Sequence, residues 1–464
     1  MFERNAGAGG RAGVLRTNGF CFDMGPSWYL MPDVFERFFS EFGRHPSDYY
    51  ELVRLDPSYR IYFGPSDYVD VPGELDGVRE LFEHHEPGAA AKLDEYLEVA
   101  EYQYGAAMRE FLYKDYRSLF DFFNRRTMVE GRKLHVFQSM DDYARRYFAS
   151  ERLRRILEYS VVFLGGSPKN TPAMYSLLSH VDFNLGVWYP MGGIGSVVAA
   201  LQALAESQGA RILFDHEVLG IATERRNAKA LRTIHGEYPV DAVVVTADYA
   251  HAELDLLSKS DRTYGERYWH SRTLAPSALL IYLGLSQPLD GLLHHTLSFE
   301  HDWMKHFDSI FHAPAWPDKP SYYICCPTKT DNTIAPEGGE NLVVLVPLAV
   351  GLDDSDSVRE KYADRIISSV ECLIGQKIAP LVQSRNLFSQ RDFMSAFRAF
   401  RGTALGLSHT LRQTAVFRPR RRSKRVKNLF YSGQYTHPGI GLPMTLISAT
   451  VTAQTLAEEM GHHA

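Results

Sequence analysis

Leu93, Tyr96, Leu97 and Ala100 recur at spacings of three, four and seven, which gathers them on one face of a helix. They open an aromatic block, residues 89–164, that reads as helical and stays poor in glycine until Gly165-Gly166. Asn124-Arg125-Arg126 and Ser139 mark breaks or caps within it. Upstream, the first thirty residues read as turn and extended chain. A helix follows over 33–42, and short extended pieces over 59–63 and 68–71. Beyond Gly192-Gly193 the texture changes to a helix over 196–207 and strand-like pieces over 211–214 and 217–222. The Val-rich run 240–246 has no polar side to offer solvent, so it predicts a strand buried on both faces of a doubly wound sheet. A mixed segment, 271–400, holds further strands over 278–283, 322–326 and 342–346. The chain ends in a short apolar strand (429–431), a turn rich in Gly and Pro, and a helix over 446–460. Such a strand–loop–helix crossover lets a cofactor lie against bare backbone.

At 464 residues the chain exceeds the size at which a single core stops growing, roughly 250–300 residues, so two domains or an interleaved pair are expected. A net charge of −6 gives no global reason to expect nucleic acid. The 26 Tyr and 27 Phe suit a core, and equally a long apolar ligand channel. Cys21, Cys325, Cys326 and Cys372 show no metal spacing and read as buried free thiols, so no metal is expected. No signal peptide is visible, and no apolar run reaches the ~18 residues of a membrane span. There are no internal repeats.

Gly7, Gly9 and Ala12 mimic a dinucleotide fingerprint, but that fingerprint needs a strand before it and a helix after it. Only six residues precede Gly7, and the chain after it reads as extended. Four other motifs carry more weight: Glu3 followed by Gly9-Gly10-Arg11, Gly19-Phe-Cys-Phe-Asp-Met-Gly-Pro26, the segment Gly186 to Gly193 (Gly-Val-Trp-Tyr-Pro-Met-Gly-Gly), and Thr436-His-Pro-Gly439. In this order, over nearly the whole chain, they resemble the bacterial-type phytoene desaturases, flavoproteins of the amine-oxidase-like superfamily.

The resemblance implies an α/β fold in which a Rossmann-like FAD-binding domain (1–75, 187–262 and 402–464) is interleaved with an α+β substrate domain (76–186 and 263–401) containing a helical, membrane-facing part. It implies that Glu3 ends the second Rossmann strand and accepts hydrogen bonds from the adenosine ribose. Gly9 and Gly10 then let backbone approach the cofactor, and Arg11 offers its fork to the diphosphate. Gly25 and Pro26 lie beside the flavin ring, and Val218 presents backbone to adenine. Gly433 and Gln434 sit near the ribityl and diphosphate, and Gly439, Gly441, Leu442, Pro443 and Met444 near the pyrimidine. His437 either orients this loop or touches the substrate. On this alignment the first βαβ half, about 30 residues, is expected to be absent, weakening flavin binding.

The activity implied is FAD-dependent desaturation of phytoene or a related carotenoid, with Asp182 as proton acceptor and Arg401 tuning the flavin's charge. Other carotenoid dehydrogenases or oxygenases, amine oxidation and an inactive fragment stay open as alternatives. No NAD(P) site is evident, and quinone or oxygen is the implied electron acceptor. Seven of the ten residues Arg418 to Lys427 are basic. They read as a solvated loop or as an attraction for anionic lipid, worth about 1 kcal/mol per basic residue. The aromatic and basic stretch 108–123 is a second membrane candidate. Together these place the chain in the cytoplasm, peripheral to the inner face of the membrane.

Overall fold

A computed structural model describes residues 1–116, 138–410 and 412–461. Its largest element is a seven-stranded mixed sheet. The strand order is Val382–Phe388, Ser277–Leu285, Glu340–Leu348, Tyr322–Cys325, His295–Ser298, Tyr59–Gly64 and Asp67–Val71. All neighbours are antiparallel except His295–Ser298 with Tyr59–Gly64. Tyr59–Gly64 and Asp67–Val71, within the segment 1–75, therefore share one sheet with Ser277–Leu285 and Glu340–Leu348.

The strand buried on both faces is Ser277–Leu285, not the Val-rich run. Leu279, Ile281 and Leu283 pack with Tyr362, Ile366 and Val370 of the helix Asp356–Ile374. Ala278, Leu280 and Tyr282 turn the other way, toward Phe20 and Phe22. Within 240–246 only Val243–Val245 is strand, paired in parallel with Leu429–Tyr431, and Val244 is 42% exposed. Apolar continuity does not fix burial where the sheet is only two strands wide among the described residues.

Phe20 and Phe22 come from a hairpin, Val14–Thr17 with Phe20–Asp23, closed by Asn18-Gly19. Both turn residues have positive φ, 49° and 82°, as a tight two-residue hairpin turn requires. At Gly284 the central strand meets this hairpin so closely that a Cβ would overlap the Phe20 ring. Tyr282 OH donates to the Met24 carbonyl at 2.8 Å, and Asn341 Nδ2 donates to the Cys21 carbonyl at 2.6 Å.

The remaining elements follow the sequence pattern. Helix Ala89–Ala106 buries Leu93, Tyr96, Leu97 and Ala100 as the spacing predicts. Ser139 caps Met140–Tyr147 by accepting from Asp142 N. Asn124-Arg125-Arg126 lies outside the described residues, as does the part 117–123 of the stretch 108–123. The helices Pro32–Ser40, Ile194–Ser207 and Leu442–Glu459 share one core through Phe35, Val197 and Ile447. A three-stranded antiparallel meander, Val218–Glu224, Asn227–Thr233 and Gly236–Pro239, stands beside the parallel pair. The expected strand 211–214 is reduced to a parallel bridge between Leu213 and Phe2. Among the described residues no helix is long and apolar enough to cross a membrane.

Overpacking a dense contact costs about 1–3 kcal/mol. Gly284→Ala is therefore expected to lower the thermal midpoint, and Phe20→Ala in the same chain to recover part of the loss. A purely additive double mutant would mean that the two do not meet.

Candidate active site

A continuous cavity of about 1260 Å³ runs between the two parts of the molecule. That exceeds the ~300–1,000 Å³ of a single small-molecule pocket and leaves room for a cofactor and a substrate together. One end is walled by turns and backbone: Glu3, Gly9, Gly10, Arg11, Gly25, Pro26, Val218, Gly433, Gln434, Gly441, Leu442, Pro443 and Met444 all line it. These are thirteen of the fourteen cofactor positions expected from sequence. The fourteenth, Gly439, does not line it. It sits against His409, where a side chain would overlap the imidazole, so its role is close packing of the loop. The other end is apolar and aromatic, with Trp28, Leu297, Phe299, Trp303, Phe307 and Ile310.

Arg11 Nε and Nη2 are buried without a hydrogen-bond partner. The nearest carboxylate, Asp248, is 3.7 Å from Nη2. Unpaired guanidinium donors facing a cavity suit an anionic group such as a diphosphate. Gln434 Nε2 is a second buried donor left open on the same wall. The helix Leu442–Glu459 starts at the cavity with Leu442, Pro443 and Met444, so its first backbone N–H groups and the positive end of its dipole face the space. Glu3 Oε1 accepts from Asn5 N at 2.8 Å, while the Glu3 backbone is tied to Leu213 and His216. These donors and turns fit FAD.

The C-terminal loop is held by a buried cation. Arg418 donates to the carbonyl oxygens of Leu407, Gln413, Gln434 and Thr436 at 2.5–3.3 Å. No carboxylate pairs with it among the described residues, and burial pushes its pKa down to about 10. Arg421 donates to the carbonyls of His437 and Ser448. The basic run is thus divided: Arg418 and Arg421 are interior braces, while Arg420, Arg422, Lys424, Arg425 and Lys427 are exposed. His437 both orients the loop and reaches the cavity, with its Nε2 3.0 Å from the Phe111 carbonyl.

Two residues missed in the sequence brace this wall, one on the cavity and one behind it. Asp248 follows the Val-rich strand and lines the cavity. It accepts from Ala250 and His251 N, from Phe400 N and from Tyr435 OH. The signal available was an Asp opening a helical turn after a strand. Asp23 accepts from Ile194 N and Gly195 N at 2.7 and 2.9 Å, so its carboxylate seals the start of Ile194–Ser207. Burial raises its pKa to about 6, and the two N–H donors hold it back.

Neither catalytic candidate lines the cavity itself. Asp182 is fully enclosed, not a helix-surface acid. Its Oδ2 accepts from Tyr59 OH at 2.7 Å and Tyr159 OH at 3.0 Å, and its Oδ1 has no partner. Burial raises its pKa to about 7 against the opposing effect of the two hydroxyls. Tyr159 lines the cavity, so Asp182 reaches it through that phenol. Arg401 is exposed with φ 55° and lies off the cavity wall. The expected flavin-tuning role is not supported by that position, since a surface guanidinium is screened by water.

Residues 1–457 match the family model for flavin-containing amine oxidoreductases. A carotenoid 3,4-desaturase of Haloarcula japonica is 47% identical over 463 residues, covering 99% of this chain and 93% of that protein. A zeta-carotene-forming phytoene desaturase of Myxococcus xanthus is 34% identical over 463 residues, covering 98% and 88%. Among solved structures, an oxidoreductase from Methanosarcina mazei superposes with a TM-score of 0.64 at 14% identity, covering 98% and 93%. Wild-type putrescine oxidase bound to putrescine gives 0.60 at 12%, covering 99% and 93%.

If Arg11 meets the diphosphate, Arg11→Met should weaken FAD retention about tenfold or more, the equivalent of the ~1.5–3 kcal/mol of a charged hydrogen bond. Equilibrium flavin titration of the folded variant reads this directly, and unchanged affinity would remove Arg11 from the site. The cavity, its donor wall and the match over residues 1–457 agree: the chain belongs to the flavin-containing amine oxidoreductase family, in its carotenoid desaturase branch.

Proposed function

We propose that this protein desaturates a carotenoid with FAD as the bound oxidant. The observation that carries the reading is the single cavity in which a donor-lined cofactor wall continues into an apolar, aromatic channel. A hydrocarbon offers no polar handle, so it must be recognised by shape and apolar contact, and this channel supplies both. Bound FAD supplies the two-electron acceptor. The greater identity to a carotenoid 3,4-desaturase than to a phytoene desaturase supports a bond near one end of a preformed polyene as the target, ahead of phytoene itself. Quinone or oxygen is the proposed terminal acceptor.

Forming a C=C bond removes a hydride equivalent from one carbon and a proton from its neighbour. Tyr159 is placed to take that proton at its hydroxyl while passing its own to Asp182. Asp182 must be ionised to accept, so with its pKa near 7 turnover should rise with pH through that value. The enclosing aromatic side chains exclude water from the reacting carbons. In Asp182→Asn, flavin retention should persist, turnover should fall about a hundredfold, and the rising limb near pH 7 should vanish. The assay is the purified protein with FAD, acyclic carotenoids in liposomes and a quinone. Products from phytoene and from end-saturated polyenes separate the two substrate readings. Full activity of Asp182→Asn would exclude the proton route, and no turnover of any carotenoid by flavin-loaded protein would overturn the function.

The exposed cations Arg420, Arg422, Lys424, Arg425 and Lys427 support a peripheral contact with an anionic membrane face, from which such a substrate is drawn. Replacing all five with Gln is expected to weaken binding to phosphatidylglycerol vesicles by about 1 kcal/mol per charge removed. Binding to neutral vesicles should not change. Sedimentation with vesicles measures both, and equal binding by the variant would place the membrane contact elsewhere.

A further inference from the structure

One cluster behind the channel wall has the chemistry of a metal centre. His294 and His295 lead into the strand His295–Ser298, and Cys325 ends the strand Tyr322–Cys325 directly opposite His295 in the antiparallel register. One ring nitrogen of each histidine and the Cys325 sulfur lie within 4.8 Å of one another, and all three residues are buried. Each ring is held at one nitrogen only. His294 Nδ1 is 2.7 Å from Thr330 Oγ1, and His295 Nδ1 is 2.7 Å from Tyr323 OH. Nε2 of both rings is buried with no hydrogen-bond partner. Two adjacent buried imidazoles with open nitrogens are unusual, since such atoms are normally satisfied. A hydroxyl can accept from Nδ1, and in that tautomer Nε2 presents a lone pair, the arrangement that supporting hydrogen bonds impose on metal-ligating histidines.

We infer that His294, His295 and Cys325 form a binding site for a thiophilic divalent cation of the Zn²⁺ class. Zinc bonds of about 2.3 Å to sulfur and 2.0–2.1 Å to nitrogen place tetrahedral ligands roughly 3.5 Å apart, so the three groups need to close by about 1 Å. Binding releases the Cys325 proton to solvent and forms Zn–S and two Zn–N bonds, with water as the fourth ligand and no redox change. The Asp331 carboxylate, near enough to act on His294, offsets the remaining positive charge. Oxygen-preferring cations such as Mg²⁺ and Ca²⁺ do not fit this donor set. The cysteine spacing gives no hint of the site, because the partners of Cys325 come from a neighbouring strand some thirty residues upstream.

The site would act on the channel through Trp28. The Trp28 ring stacks on His295 with centroids 4.0 Å apart and planes 9° apart. Trp28 and Tyr323 both line the cavity. A cation fixing His295 therefore fixes the tryptophan that shapes the channel beside Gly25 and Pro26. The role is structural, and it stands whichever carotenoid is the substrate.

The test uses the full-length protein, stripped with a chelator and reloaded separately with Zn²⁺ or Co²⁺. The expected result is about one zinc retained per chain after dialysis, a raised thermal midpoint, and a near-ultraviolet thiolate-to-cobalt absorption band. Cys325→Ser and His295→Gln should lose the band and the thermal shift. Cys372→Ser, at an exposed thiol, should keep both. Circular dichroism distinguishes lost ligation from lost folding, and His294→Gln gives a third variant should one fail to fold. No retained zinc and no cobalt band in the wild-type chain would overturn the proposal. So would a band that survives in Cys325→Ser, which would place the metal on another thiol.

Discussion

The cofactor wall depends on a charge that has no counter-charge among the described residues. A loop that lies against a cofactor cannot be helix or sheet, and irregular backbone leaves carbonyl groups that burial would strand. Arg418 answers that problem by turning its fork inward and collecting four carbonyls from three separate stretches of chain, 407, 413 and 434–436. The desolvation cost is visible in its depressed pKa, and the return is that the loop has one conformation instead of many. Arg421 also collects carbonyls one layer out, with Asp115 3.7 Å away as its counter-charge, and joins the loop to the body of the last helix. A lysine carries the same charge but lacks the planar fork that reaches several carbonyls at once.

The buried acids are arranged by the same logic, each with donors matched to its task. Asp23 takes two backbone N–H groups and closes a helix, Asp248 gathers a helix start and Tyr435, and Asp182 takes two phenols. Asp182 alone among these three keeps an oxygen without a hydrogen-bond partner. The lone pairs of Asp23 and Asp248 are committed to architecture, whereas Asp182 retains an open acceptor beside the two phenols.

The sequence exposed these features unevenly, for physical reasons. Positions where backbone must lie bare are written in Gly and Pro, and the family resemblance carried by those motifs put Gly9, Gly10, Gly25 and Gly433 at the cofactor; all four line the cavity. Gly439 obeyed the same grammar for a different cause, a close imidazole, and the two causes look alike in one dimension. Long-range pairing is not written locally at all. Nothing in Tyr59–Val71 marks these strands as the edge of a sheet whose other members begin two hundred residues later. The Val-rich run read as doubly buried because composition reports affinity for an interior, not whether a neighbour is there to provide one. The Asn18-Gly19 hairpin carries the right turn chemistry, yet the sequence reading there reached only turn and extended chain, because the pairing of its two short strands is not marked by composition. The basic run could only be read as a single surface patch, since arginines facing in and out share one letter.

The contact of Phe20 with the bare strand at Gly284 bears on how a stiff polyene can get in. With the flanking bonds from Tyr282 to Met24 and from Asn341 to Cys21, it rivets the cofactor hairpin to the middle of the seven-stranded sheet. A cleft that opened like a jaw would have to tear out an aromatic ring seated without clearance. The two halves therefore behave as one rigid frame along this seam. A long, stiff molecule therefore meets a bore of fixed width along this seam, and its fit is decided by its cross-section.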